Sequence, residues 1–227
     1  MTFHVKGNWT VNGSVSATRR VNTIVFDGAG TQTIGGTAST TFRNLTVDKA
    51  SGSVALARTT NIGTTSYAGT LTLTAGRVVT GGNAMTISSL SSVTRTGGLV
   101  EGNLQKYVAT GTNVTRTYEV GTGSAYAPVT LTFTSVTTAG TATVSATAGQ
   151  HPQIASAKII PAADVARYWT ISTASIVFSA AGAKAAFTWD PADVTGGTPS
   201  AFTIQRYSGT WQTPGALAGG TSTTASQ

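Results

Sequence analysis

The 227-residue chain has a formal net charge of +7, yet only 9% of its residues are charged, against about 25% in an ordinary soluble domain. It contains no Cys, which excludes a disulfide framework and any Cys-ligated metal site. No apolar run is long enough to cross a bilayer as a helix, and Met1 to Asn8 lacks the basic-then-apolar order of a signal peptide.

Thr is the commonest residue, and Gly, Ala, Ser and Val follow. Thr and Val are stiff at χ1 and favour pleated strands, while Gly supplies turns with positive φ. No window shows apolar residues at i, i+3, i+4 and i+7. The reading is all-β. In the first part, residues 1–103, short strands are predicted at Phe3–Val11, Asn22–Asp27, Phe42–Asp48, Val54–Ala57, Thr70–Thr74, Arg77–Thr80, Ala84–Ile87 and Leu99–Glu101. Gly-rich turns separate them at Gly28, Gly35-Gly36, Gly52, Gly76, Gly81-Gly82 and Gly97-Gly98. The stretches NTIVFDGAGTQTIGG and NLTVDKASGSVALAR both run strand, Asp, small turn, strand. Their length is not constant, which suits an irregular β-solenoid whose coils bury inward Ile, Leu and Val.

From Leu104 the strands lengthen and aromatics become more frequent. Strands are predicted at Arg116–Val120, Ala127–Val136, Thr141–Ala148, Arg167–Ser172, Ser175–Ser179, Ala183–Trp189 and Ala201–Tyr207, with a short piece at Trp211. Long alternating strands at this spacing predict an antiparallel β-sandwich over residues 104–227. Pro152–Ala163 reads as an ordered loop with a single turn, and Gly219–Gln227 as a small, polar, mobile tail.

The order of KGNWTVNG, FDGAGTQTIGG, FRNLTVDKASGSV, TLTLTAGRV, LQKYVATG, TYEVGTGSAYAPVTLTF and RYWTIS resembles a repeat module of large bacterial secreted, adhesin-like surface proteins, many of the type IX-secreted type. The resemblance covers nearly the whole chain. It implies a solenoid followed by a sandwich and offers no catalytic residue. Similar modules carry a further apolar strand after the TSTTASQ region, so an open sandwich edge, a template for strand addition, is expected here.

Candidate chemistry is thin. Glycoside cleavage needs paired carboxylates, and the chain has seven Asp and Glu, none between Lys49 and Val100. Asp27 and Asp48 occupy matching places in the two similar units; at strand ends they read as turn formers accepting backbone N–H bonds. Asp190 and Asp193, in WDPADV, read as a turn before a Ca²⁺ corner. His4 and His151 are remote in sequence and too few for zinc. No G-x-S-x-G elbow occurs, and Gly28-Ala29-Gly30 lacks the third Gly and the helix of a phosphate loop. No cofactor, metal or catalytic residue is therefore assigned.

The basic residues are scattered apart from Arg19-Arg20, and they read as solvated outward side chains rather than a nucleic-acid groove. Thr72/Thr74 and Thr130/Thr132/Thr134 place hydroxyls on strand faces. Such rows serve ice-binding solenoids when stacked regularly, and no regular stacking is expected here. Four N-x-S/T sites, at Asn8, Asn12, Asn44 and Asn113, are expected by chance at this Thr content. Of the aromatics, Trp169 and Trp189 are expected in the sandwich core, since alternation sends Tyr168 and Trp169 to opposite faces. Trp9 is expected at the solenoid end. Tyr207 and Trp211, flanking Ser208-Gly209, are the candidate ligand-binding pair, suited to stacking on a sugar ring.

The leading expectation is a non-enzymatic structural or adhesive module at the cell surface or outside the cell. Its partners would be copies of itself, in a filament or surface layer joined through β-edges or ends, or other surface proteins. A carbohydrate-binding module, with polysaccharide as partner, is the second reading. A polysaccharide-degrading enzyme is the third, disfavoured by the scarcity of carboxylates.

Overall fold

The computed structural model describes residues 1–13, 22–179, 182–212 and 224–226. It is all-β: a solenoid of about four turns continues into antiparallel sheets. The solenoid is built from β1 (Thr2–Val5), β2 (Trp9–Val11), β3 (Thr23–Phe26), β4 (Gln32–Gly36), β5 (Thr40–Phe42), β6 (Asn44–Leu56), β7 (Thr60–Ile62), β8 (Thr70–Ile87) and β9 (Ser92–Arg95). Each pairs in parallel with the strand one coil away. Ile24, Leu45, Leu71 and Val93 form one column of partners, and Phe26, Val47 and Leu73 the next but one. Leu45, Val47, Leu71 and Leu73 are 0% exposed, and each such burial contributes about 1.5–3 kcal/mol.

Unequal coil lengths are absorbed at corners. Gly52 sits at φ +74° where a Cβ would overlap the carbonyl of Gly30 in the coil before. Gly76, also at φ +74°, faces Lys49 in the same way. Positive φ and close backbone approach together select Gly at both corners.

The remaining strands are β10 (Leu99–Val108), β11 (Gly111–Tyr118), β12 (Gly121–Thr122), β13 (Ala125–Tyr126), β14 (Val129–Thr138), β15 (Gly140–Ala148), β16 (Arg167–Ala174), β17 (Val177–Phe178), β18 (Ala183–Thr188), β19 (Tyr207–Ser208), β20 (Thr210–Trp211) and β21 (Thr224–Ser226). One sheet follows the path β1-β3-β6-β8-β10-β15-β16, and a second runs β11-β14-β18-β21 with β17 beside β14. The expected division at residues 103/104 falls inside β10. This strand pairs in parallel with β8 on one edge and antiparallel with β15 on the other. Met85, Leu104, Val144 and Ile171 therefore lie on one line of paired residues that crosses from solenoid to sandwich.

Several local expectations need correction. Ala201–Tyr207 is not one strand. Pro199–Ala201 forms a 3-10 turn begun by Pro, Ile204 makes a single isolated bridge, and Tyr207–Ser208 pairs in the hairpin with β20. Thr224–Ser226, expected in a mobile tail, is β21 and pairs antiparallel with β18; the rest of that tail, residues 219–223 and 227, lies outside the described residues. Pro152–Ala163 is a loop with one 3-10 turn at Ile154–Ser156, as expected.

Thr72 has threonine neighbours above and below: Thr46, Thr72 and Thr94 are register partners in successive coils, and Thr94 Oγ1 donates to Thr72 Oγ1 at 3.2 Å, but Thr74 is passed over at a register shift and the row is not regular, as expected. Irregular coil length hid that register. In the second sheet Thr115 and Thr117 bond across to Thr132 and Thr130 at 3.1 and 3.0 Å. Three basic residues are buried rather than solvated: Lys49, Lys106 and Arg167 are 2%, 8% and 6% exposed. Arg19-Arg20 lies outside the described residues.

Candidate functional site

The carboxylates fall mostly into structural bonds. Asp27 does not cap its turn; its Oδ2 takes His4 Nδ1 at 2.7 Å and Lys6 Nζ at 2.9 Å, tying β1 to the coil that follows. These two hydrogen bonds, Lys6 first, hold its pKa below the usual carboxylate value. Asp48, beyond the Phe26–Val47 pair, is exposed. Glu119 binds Lys106 at 2.6 Å, and burial pushes that lysine's pKa down while Glu119 opposes the shift. Glu101 accepts from the Gly123 N–H at 3.0 Å. Asp164 accepts from Gln150 and Thr195, each at 3.0 Å. Asp190 caps the Pro191–Asp193 turn, as expected, by accepting from Ala192 N at 3.0 Å. Asp193 receives two bonds from Arg167, at 2.7 and 3.0 Å. Among the described residues no group of three or more His, Cys, Asp or Glu could hold a metal ion.

A second buried polar knot lies at a solenoid corner. Gln32 Nε2 donates to the Val5 and Gly7 carbonyls at 2.9 and 2.6 Å. Its Oε1 accepts from Gly28 N at 2.9 Å and Lys49 Nζ at 2.7 Å. Lys49 also donates to the Gly28 carbonyl. All of the amide's valences are used, and three coils are joined. Desolvation pushes the Lys49 pKa down.

A groove of about 1130 Å³ opens beside β16. Leu131 and Phe133 of β14 and Phe187 of β18 form one wall, and Trp169 and Ile171 of β16 the other. Loops between 150 and 165 and between 201 and 212 close one end. Trp169 packs on Phe187 at 4.8 Å, its Nε1 donating to the Ala127 carbonyl at 2.9 Å. Trp189 is 4% exposed. Both tryptophans thus serve the core, as expected. Trp9 packs 5.4 Å from Phe42 at the first coils of the solenoid.

Tyr207 and Trp211 do come together, with ring centroids 5.1 Å apart at an interplanar angle of 62°. They are not alone. His151 lies 5.0 Å from each of Tyr168, Tyr207 and Trp211, at angles between 50° and 77°. Trp211 Nε1 donates to the Gln153 carbonyl at 2.9 Å. Three of these pairs meet edge to face, the arrangement their quadrupoles favour, His151–Tyr207 is tilted, and together the rings pin the β19–β20 hairpin to β16. Tyr207 retains 38% exposure, so one ring is available to a ligand. His151 and Tyr168 were missed as members because they are far from Tyr207 in sequence; the only hint was the strand face that Tyr168 shares with neither Trp169 nor the core.

No family model, curated protein or solved structure matches the chain.

Proposed function

We propose that this chain is a structural or adhesive module of an extracellular or cell-surface protein, acting mechanically and assembling with copies of itself. The observation that carries the reading is the continuous sheet. A force passing from solenoid to sandwich runs through β10, whose two edges are hydrogen-bonded to β8 and β15, and crosses no flexible linker. Hydroxyl columns on the outer faces, few charges and no Cys suit a sparsely charged, redox-indifferent surface outside the cell. The carboxylates committed to structural bonds support a non-enzymatic role. Negative-stain electron microscopy of the purified chain across a concentration series is the test. Regular filaments or sheets are expected; monodisperse particles at every concentration would remove self-assembly from the reading.

A second reading, carbohydrate binding, is favoured by the half-open Tyr207 ring beside the groove. Retention on polysaccharide affinity gels that is lost in Tyr207→Ala would support it. Retention unchanged by that substitution would not.

A further inference from the structure

Resting on the self-assembly reading, the structure assigns the contact: we propose that the β1 edge of one copy docks on the β16 edge and adjoining groove of the next. β1 and β16 are the first and last strands of one sheet path, and the outer edge of each has no strand partner among the described residues. An unpaired strand edge is a template for another strand.

The side chains behind these two edges show what is missing. Phe3 is paired in register with Ile24, which is 6% exposed, yet Phe3 itself is 40% exposed. Ile171 is paired with Val144, which is 0% exposed, yet Ile171 is 38% exposed. Each stands in line with a buried core residue and lacks only the next strand. Apart from Leu90, in the turn before β9, the exposed large apolar side chains follow the same division. Met1 and Phe3 lie at the first edge; Ile171, Val177 and Phe178 lie at or near the last. Ile160 and Tyr207 line the groove itself.

The occupant is a second copy because β1 has the chemistry the groove lacks. Met1, Phe3 and Val5 alternate with Thr2, His4 and Lys6, and His4 and Lys6 are already held by Asp27. Docking therefore offers the apolar side chains of β1 to the groove, while His4 and Lys6 alternate to the other face of the strand and stay with Asp27. Residues 168–174 of β16 carry no acid or base, so the strand edge itself sets no like charge against β1; the groove's cations Lys158, Lys184 and Arg206 lie on β18 and the neighbouring loops. Two β16 edges facing each other would bring two open grooves together and fill neither. Because β1 and β16 are different strands, the contact is heterologous and does not close on itself, so it builds an open chain of molecules.

Sedimentation velocity on wild type, Phe3→Lys, Ile171→Lys and their equimolar mixture tests the pairing. Wild type is expected to grow with concentration without a ceiling. Each variant alone is expected to sediment as a single chain. The mixture is expected to form a one-to-one dimer and nothing larger, since one variant keeps its β16 edge and the other its β1 edge. If a lysine variant loses its far-UV β signal, Phe3→Thr and Ile171→Thr replace the pair. Wild type that stays single at all concentrations overturns this contact together with the self-assembly reading. Wild-type growth that persists in both variants overturns the contact alone. A closed dimer lost in Ile171→Lys but kept in Phe3→Lys shows β16 pairing with itself and also overturns it.

Discussion

The solenoid and the sandwich share a sheet but close their cores differently. In the solenoid, inward residues of neighbouring coils cover one another, and Phe42, Leu45, Ile62, Leu71 and Leu73 are all 0% exposed. In the sandwich, β14 buries Leu131 and Phe133 to 4% and 1%, but the facing β16 is exposed from Thr170 to Ala174. A coil is covered by the coils above and below it, whereas a sandwich strand depends on neighbours from distant parts of the chain. Stability should therefore concentrate in the solenoid and recognition in the open side of the sandwich.

The sharpest break of that contrast is a matched pair of truncations. Phe42→Ala is expected to cost about 3–5 kcal/mol, the range for deleting a buried aromatic ring, whereas Ile171→Ala should cost less than about 1 kcal/mol because its site is already open. Urea denaturation followed by far-UV circular dichroism measures both. Equal costs would mean that the groove is closed in solution. Next in size, Asp193→Ala leaves the guanidinium of Arg167, whose side chain is 1% exposed, without its two-pronged partner. A loss of about 3 kcal/mol is expected. It should fall on a transition reported by the fluorescence of Trp189 and Trp211, with the solenoid transition unmoved. A loss shared equally by both transitions would show that β10 couples the two regions into one folding unit.

The two regions were also unequally legible in the sequence. Solenoid strands such as TIVF, NLTV and TLTL announce themselves by alternation, because each buries its own inward residues locally. Their stacking was less readable: Thr46, Thr72 and Thr94 meet only because Gly corners absorb the uneven coil lengths, and no fixed period marks them. The long sandwich strands were legible for the same reason as the solenoid ones. The 201–207 stretch was not, because Phe202 and Ile204 alternate like a strand while lining a groove. The candidate pair Tyr207 and Trp211 was readable as a hairpin. Its partners His151 and Tyr168 arrive from elsewhere in the chain, and no local pattern can report a tertiary contact. Buried Lys49 carried no signal either, since its partner Gln32 belongs to the preceding coil.

That corner supplies a smaller test confined to the solenoid. Lys49→Met removes a donor from Gln32 Oε1 and from the Gly28 carbonyl, and a cost of about 1–3 kcal/mol is expected at neutral pH. The wild type also has an alkaline signature. Burial lowers the folded pKa of Lys49 and of Lys106 below the ordinary lysine value of 10.5. Between the folded and unfolded values the unfolded chain binds more protons, so stability rises with pH across that window. Tyr118 acts in the opposite direction, its folded pKa raised by desolvation from 10.0, so the rise should be read below that pH. In Lys49→Met the Lys49 contribution to the rise disappears and the Lys106 contribution remains. An unchanged slope would place the whole effect on Lys106, in the β10 strand that both regions share.

The smallest effect is expected at the solenoid edge, where Asp27 holds β1. Its folded pKa lies below the ordinary carboxylate value of 3.8, chiefly through the hydrogen bond from Lys6 and then that from His4. The stabilisation is therefore fully present above that value and is lost as pH falls through the lower, folded one. His4 and Lys6 side chains are 58% and 68% exposed, so solvent and salt screen the contacts and the slope should be shallow. Asp27→Asn should flatten the acid limb of a thermal-melting series, and added salt should do the same to the wild type. If β1 is the strand that one copy presents to the next, loosening it has a second consequence. Assembly should weaken on acidification before the solenoid core melts, and Asp27→Asn should assemble less well even at neutral pH. A variant that loses the acid limb yet assembles as the wild type does would show that β1 is held well enough by its ladder with β3, and that Asp27 serves the corner alone.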